Sequence, residues 1–265
     1  MIRDDMTNEE YHASDAISSS DVKTVVTSSV WHWHNKGKIE PTPAMQIGTA
    51  VHDIALEGGK NTVRGPETRR GNAWKEADEL AKAEGKLLLT ERDYDIAKDA
   101  AHSLYADPAC EKQLNALNAK IEHSLFAECP KTGLQLRCRP DLYNPDDFVM
   151  SDVKKTITAS PDGFLREIYK YRYDVQAAFY KYVSELCGWK VAHFAFLAAE
   201  GSHPHVAHMH VMGMEAMEIG HKDMMRGLEK IAEAKKSQKY ETGWGRFTMV
   251  HPPAWVANKH DFEGE

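Results

Sequence analysis

The chain has 265 residues, 42% of them hydrophobic, and a formal net charge of -7. It carries no apolar run near membrane-spanning length and no charged-then-apolar start, which excludes a spanning helix and a secretory signal and points to a cytoplasmic protein with one large core. The four cysteines, Cys110, Cys129, Cys138 and Cys187, form no CxxC pair, so a disulfide framework or thiolate zinc site is disfavoured.

Ser18, Ser19, Ser20 and Asp21 precede Val22, Val25, Val26 and Val30 at helical spacing, predicting an N-cap and a short helix. Residues 45 to 58 place Met45, Val51, Ile54, Ala55 and Leu56 largely on one helical face, with His52 in the middle and Gly58 as the stop. Residues 60 to 72, with Arg64, Arg69 and Arg70 among glycine and proline, read as a mobile basic loop. Helices are expected over 72 to 84 and 91 to 117, the second opened by Thr90 and Asp93.

From Lys120 the hydrophobic period becomes alternating. Strands are predicted at 120 to 127, 134 to 143 and 147 to 154, joined as an antiparallel meander. A long helix follows from Pro161 to Cys187 with Phe164, Leu165, Ile168, Val175, Phe179 and Val183 as its buried stripe. Strands at 190 to 199 and 205 to 213 and a helix from Met214 to Lys239 complete an α/β unit. The expected organisation is a single domain over 1–265, with a mainly helical part (1–118), a core (119–240) and a C-terminal extension (241–265).

Chemistry concentrates in Arg139-Pro140-Asp141 and Ser151-Asp152-Val153-Lys154, on adjacent predicted strands. Asp152 and Lys154 are two apart and share a face, while Val153 turns to the core. Asp141 can meet them from the partner strand. Two converging carboxylates need a countercharge, and a hard divalent cation with oxygen ligands, Mg²⁺ or Mn²⁺ in its place, suits them, with Lys154 beside the metal-bound water. His52 lies in Gly48-x(3)-His52-x(3)-Leu56-Glu57, and its neutral imidazole could add a ligand, although a lone histidine on an apolar face is more often core.

Gln176 and Tyr180 share one face of the long helix, and Tyr173 and Tyr169 extend that stripe. They are either core packing or contacts to a phosphate and the lysine, with Arg166, Lys170 and Arg172 gripping the backbone nearby. The net negative charge argues mildly against nucleic acid, yet residues 131 to 190 hold ten basic against eight acidic residues, two of the latter being the proposed metal ligands. His203, His205, His208 and His210 lack a completing carboxylate or thiolate for zinc.

The order Gly48 to Glu57, Glu122, Arg139-Pro140-Asp141, Asp152-Val153-Lys154 and Gln176-x(3)-Tyr180 resembles the RecB-like branch of the PD-(D/E)xK nucleases. Tyr11-His12-Ala13, Ile17 to Ser20, Tyr171 to Tyr180 and Pro253-Ala254-Trp255 are similar to the RecE-type exonucleases of that branch. The resemblance implies a restriction-endonuclease-like α/β core, a central mixed sheet flanked by helices, with an N-terminal helical lobe. It implies Mg²⁺-dependent 5′ to 3′ digestion of linear double-stranded DNA in recombination by a tetrameric ring, beside a single-strand annealing protein.

By the same resemblance His52, Asp141, Asp152 and the Val153 carbonyl hold metal, Lys154 acts on water, Gln176 and Tyr180 support the site, and Glu122 is secondary. Arg70, Arg139, Lys155, Arg166, Arg172 and Tyr173 are the expected DNA contacts. Lys155 departs from the family, which often has a hydroxyl residue there, and Thr156 follows one place later. The chain reads as a compact phage or prophage version or as a nuclease fragment. A nuclease for single strands or flaps and a silent DNA-end-binding module stay open, the latter opposed by the intact Asp141, Asp152 and Lys154.

Overall fold

The computed structural model describes residues 1–37 and 40–257; the end of the expected C-terminal extension lies outside them. The elements in chain order are β1 (Ile2–Arg3), α1 (Asn8–Ala13), α2 (Ser19–Thr27), α3 (Val30–His34), α4 (Pro43–Glu57), β2 (Thr62–Arg64), α5 (Asn72–Ala83), β3 (Leu87–Leu89), α6 (Glu91–Ala106) and α7 (Pro108–Leu114). There follow β4 (Lys120–Ile121), β5 (Ser124–Glu128), β6 (Gln135–Cys138), β7 (Leu142–Asn144), β8 (Val149–Thr156), α8 (Pro161–Lys170), α9 (Tyr173–Leu186), β9 (His193–Glu200), β10 (Ala207–Val211), α10 (Met214–Ser237) and α11 (Ala254–Ala257).

The central sheet is mixed, ordered β10-β9-β8-β7-β4, with β8 and β9 parallel and the other pairs antiparallel. The β8–α8–α9–β9 crossover lays two helices over one face, where Phe164 packs with Phe194 and Phe196. On the other face Val153, Leu197 and Ala199 meet Val51 of α4 and Leu104 of α6. Phe164, Phe194 and Phe196 are fully buried, each contributing roughly 1.5–3 kcal/mol relative to exposure. A third cluster joins α2, α9 and α10 to β5 and β6. No helix among the described residues is long and apolar enough to cross a membrane.

Several expected elements are divided. The meander is two sheets: β5 pairs with β1 on one side and β6 on the other, whereas β4, β7 and β8 belong to the central sheet. Pro140 has no N–H to give, and the chain changes sheets at Arg139-Pro140-Asp141. Of the long helix after Pro161, two pieces exist, because Arg172 adopts a left-handed conformation (φ 52°) between α8 and α9. Leu165, expected in the buried stripe, is half exposed. The helix from residue 91 breaks at Asp107-Pro108, where Asp107 caps α7.

The segment 60 to 72 is not simply a loop. Thr62–Arg64 pairs in parallel with Leu87–Leu89, and Arg64 is held by Glu91 and Asp95.

Candidate active site

Asp141 sits one residue before β7 begins, and the last β7–β8 pair is Leu142 with Ser151. The N–H of Val153 on β8 therefore has no β7 partner. The Asp141 carboxylate takes that place, accepting it at 2.7 Å. Along β8 the side chains alternate, so Asp152 and Lys154 face α9 while Val153 enters the core on the α4 side. Asp152 Oδ2 forms an ion pair with Lys154 Nζ, and Asp152 Oδ1 accepts from Gln176 Nε2 at 2.5 Å.

His52 approaches from α4. Its Nε2 is 2.7 Å from the Val153 carbonyl and its Nδ1 3.2 Å from Asp141 Oδ2. Glu122 completes the convergence: one ligand atom each from His52, Glu122 and Asp141 lies within 4.8 Å of the others. Glu122 takes a positive φ of 55° directly after β4, a turn that swings its carboxylate to the site.

The charges explain one another. Burial, then the neighbouring Asp152, raises Asp141 well above the ordinary aspartate range. Burial and Asp141 push Glu122 up to about 7, and burial keeps His52 neutral. Burial alone would lower the Lys154 ammonium, but Asp152 and Asp141 outweigh it and hold the group protonated.

A neutral imidazole that donates from Nε2 to Val153 has a lone pair on Nδ1, facing the Asp141 oxygen. Two acceptors at that separation require a shared proton or a cation between them. The donor set of two carboxylates and one imidazole fits a divalent cation.

This grouping differs from the expected ligand set in composition. Glu122 joins His52 and Asp141, whereas the Asp152 carboxylate is engaged by Lys154 and Gln176 and the Val153 carbonyl faces His52. An open cleft of about 930 Å³, lined in part by His52, Glu57, Glu122 and Arg139, leads to the triad.

The family description "PDDEXK-like domain of unknown function (DUF3799)" matches residues 18–246. The chain belongs to this PDDEXK-like family. A solved structure from Eubacterium rectale, provisionally named an exonuclease, shares its fold with a TM-score of 0.62 at 14% identity, covering 97% of this chain and 98% of that one. A second, the protein SSO0001, reaches a TM-score of 0.33 at 10% identity over 85% and 88% of the two chains, too little to bear on the fold. No curated protein matches. Family membership agrees with the central mixed sheet flanked by helices.

Around the PDDEXK-like centre, Tyr180 is set on α9, its hydroxyl raised by burial and then by Asp152. Tyr173 places its ring 5.1 Å from Lys154 Nζ. Tyr169, expected on the same stripe, is on α8 and exposed.

The arginines divide. Arg139 binds Ser124 Oγ and the carbonyls of Met6 and Thr7, with Tyr11 under its guanidinium. Arg172 is paired with Asp174 and Asp223. Two of the four guanidiniums expected to contact DNA are thus engaged within the fold, since their forks already have acceptors. Arg70 and Arg166 are exposed. Lys155 points to the opposite side of β8 from Lys154 and lies against Gly201. Thr156 uses its hydroxyl in the turn to Thr158.

Two neighbours of the site had no contact assigned to them from the sequence. Tyr11 is buried between Arg137 and Arg139, and Lys23 reaches Gln176 from α2. Their partners are more than a hundred residues away, so no local spacing marks them.

Proposed function

We propose that the protein is a metal-dependent exonuclease that digests linear double-stranded DNA, 5′ to 3′, leaving single-stranded ends for recombination. The observation that carries this reading is the convergence of Asp141, Asp152 and Lys154 at the ends of two neighbouring strands, with His52 and Glu122 beside them. The provisional exonuclease name of the Eubacterium rectale structure and the RecE-like motifs support it.

His52, Glu122 and Asp141 would hold Mg²⁺ or Mn²⁺. Such an ion would polarise a phosphoryl oxygen and make a water more acidic. Lys154, kept protonated by its carboxylates, donates to the charge that builds on the phosphate. Asp152 fixes the position of that ammonium, and Gln176 fixes Asp152. Tyr180 closes the apolar side of the site. The RecE resemblance adds a homo-oligomeric ring and a single-strand annealing partner to the reading.

Digestion of duplex labelled at the 5′ or the 3′ end, with Mg²⁺, with Mn²⁺ and with EDTA, tests it. Release of 5′ label first, abolished by EDTA, is expected. Intact duplex under all conditions, with single strands or flaps cleaved instead, would replace it with the flap-nuclease reading.

A further inference from the structure

Lys23 has no counterpart in the site drawn from the motifs. It rises from α2, whose N-cap Ser18 and Asp21 form a reciprocal capping box that fixes the start of the helix. From there Nζ reaches Gln176 Oε1 at 3.4 Å and lies 5.6 Å from the Tyr173 ring centre. Gln176 is the residue whose amide N–H₂ holds Asp152, and Tyr173 is the ring that Lys154 also approaches. Two ammonium groups therefore lie against one aromatic ring and one carboxylate–amide pair.

Lys23 is poorly compensated. Among the described residues no carboxylate lies within ion-pairing distance of it, and its one hydrogen bond is long. Burial, then the charge of Lys154, draws its ammonium down to about 8, against the weaker opposing pull of Asp152 and Asp174. A half-buried cation beside a second cation is unfavourable in the free protein and becomes favourable when an anion arrives. The anion that this site would receive is a phosphodiester.

We propose that Lys23 is a second substrate-binding cation, which holds a phosphate oxygen of the bound strand next to the phosphodiester faced by Lys154. The strand then runs from the His52–Glu122–Asp141 triad past Lys154 to Tyr173 and Lys23. The inference rests on the proposed nuclease reading for the identity of the ligand.

Binding of an end-labelled duplex in EDTA, followed by anisotropy over a range of salt, tests it in the wild type, Lys23→Met and Lys23→Arg. Lys23→Met should weaken binding about tenfold or more and reduce the log–log salt slope by about 0.9, one phosphate contact. Lys23→Arg should stay within about threefold of wild type, because the charge and donors remain. The thermal midpoint of Lys23→Met should not fall, since an uncompensated charge is removed.

Wild-type affinity and slope in Lys23→Met would overturn the proposal. So would a loss that Lys23→Arg does not restore and that accompanies a lower midpoint, the mark of a packing role. If the wild type binds duplex with this Lys23-dependent slope yet never cleaves it with Mg²⁺ or Mn²⁺, the nuclease reading falls and the Lys23 contact stands. Absence of any DNA binding by the wild type removes both.

Discussion

Asp141 Oδ2 accepts the main-chain N–H of Val153 at 2.7 Å. One carboxylate thus ends a strand ladder and faces the metal-side cluster, and substitution can separate the two roles. Asp141→Asn keeps an acceptor for the N–H but removes the charge. Its metal affinity by calorimetry should fall sharply while its metal-free stability matches or exceeds wild type. Asp141→Ala leaves the buried N–H unsatisfied and should be less stable than Asp141→Asn by about 1–3 kcal/mol in denaturant unfolding. Equal stability of the two variants would show that the N–H finds another partner.

The crowded carboxylates set a pH dependence. Glu122 titrates near 7 in the folded chain against an ordinary 4.5, and Asp141 is raised as well. The folded state retains protons that the unfolded chain has released in that window. Metal-free stability should therefore decline as pH rises from 4.5 to about 7 and level off above. Metal affinity should move the opposite way, strengthening through about 7 as the carboxylates ionise. Glu122→Gln should flatten both profiles; thermal melts and titrations at several pH values would read this, and an unchanged profile in Glu122→Gln would exclude Glu122 as their source.

Lys154 is held in place by Asp152, itself held by Gln176. Lys154→Met should lower the cleavage rate by at least about a hundredfold, the scale for removing a positioned catalytic group. End binding should persist, at reduced strength. Single-turnover kinetics with normal chemistry in this variant would contradict the assigned role.

Gly220 marks the crossing of α10 over α9: a Cβ there would stand 2.2 Å from the Asp174 carbonyl oxygen. The obstacle is backbone, which cannot swing aside. Gly220→Ala should destabilise the fold by about 1–3 kcal/mol in denaturant unfolding, with an activity loss that follows stability. A variant as stable as wild type would show that the two helices can separate there without cost.

Much of the centre was readable from sequence because it depends on local periodicity. Asp152 and Lys154 alternate with an apolar Val153, His52 sits on an amphipathic helix, and Gln176 and Tyr180 are one turn apart. The misread parts depend on geometry that residue type did not announce. A left-handed arginine, not a glycine, breaks the helix at Arg172. The short strands Thr62–Arg64 and Leu87–Leu89 exist through a nonlocal parallel pairing. The approach of Glu122 to His52 and Asp141 was not readable, because its aim comes from a positive φ after a two-residue strand. Arg139 looked available to DNA because its acceptors, the carbonyls of Met6 and Thr7, lie at the far end of the chain.

The break at Arg172 has a bearing on how this protein can change over generations. Gln176 and Tyr180 stand on one rod, and Leu165, Arg166 and Tyr169 on another, joined by a single hinge residue that Asp174 and Asp223 clamp. The outward side of α8 is free to drift, acquiring new charge or bulk, while α9 stays in register with the aspartates. Lineages could thus diversify in what they grasp and leave the chemistry they perform untouched.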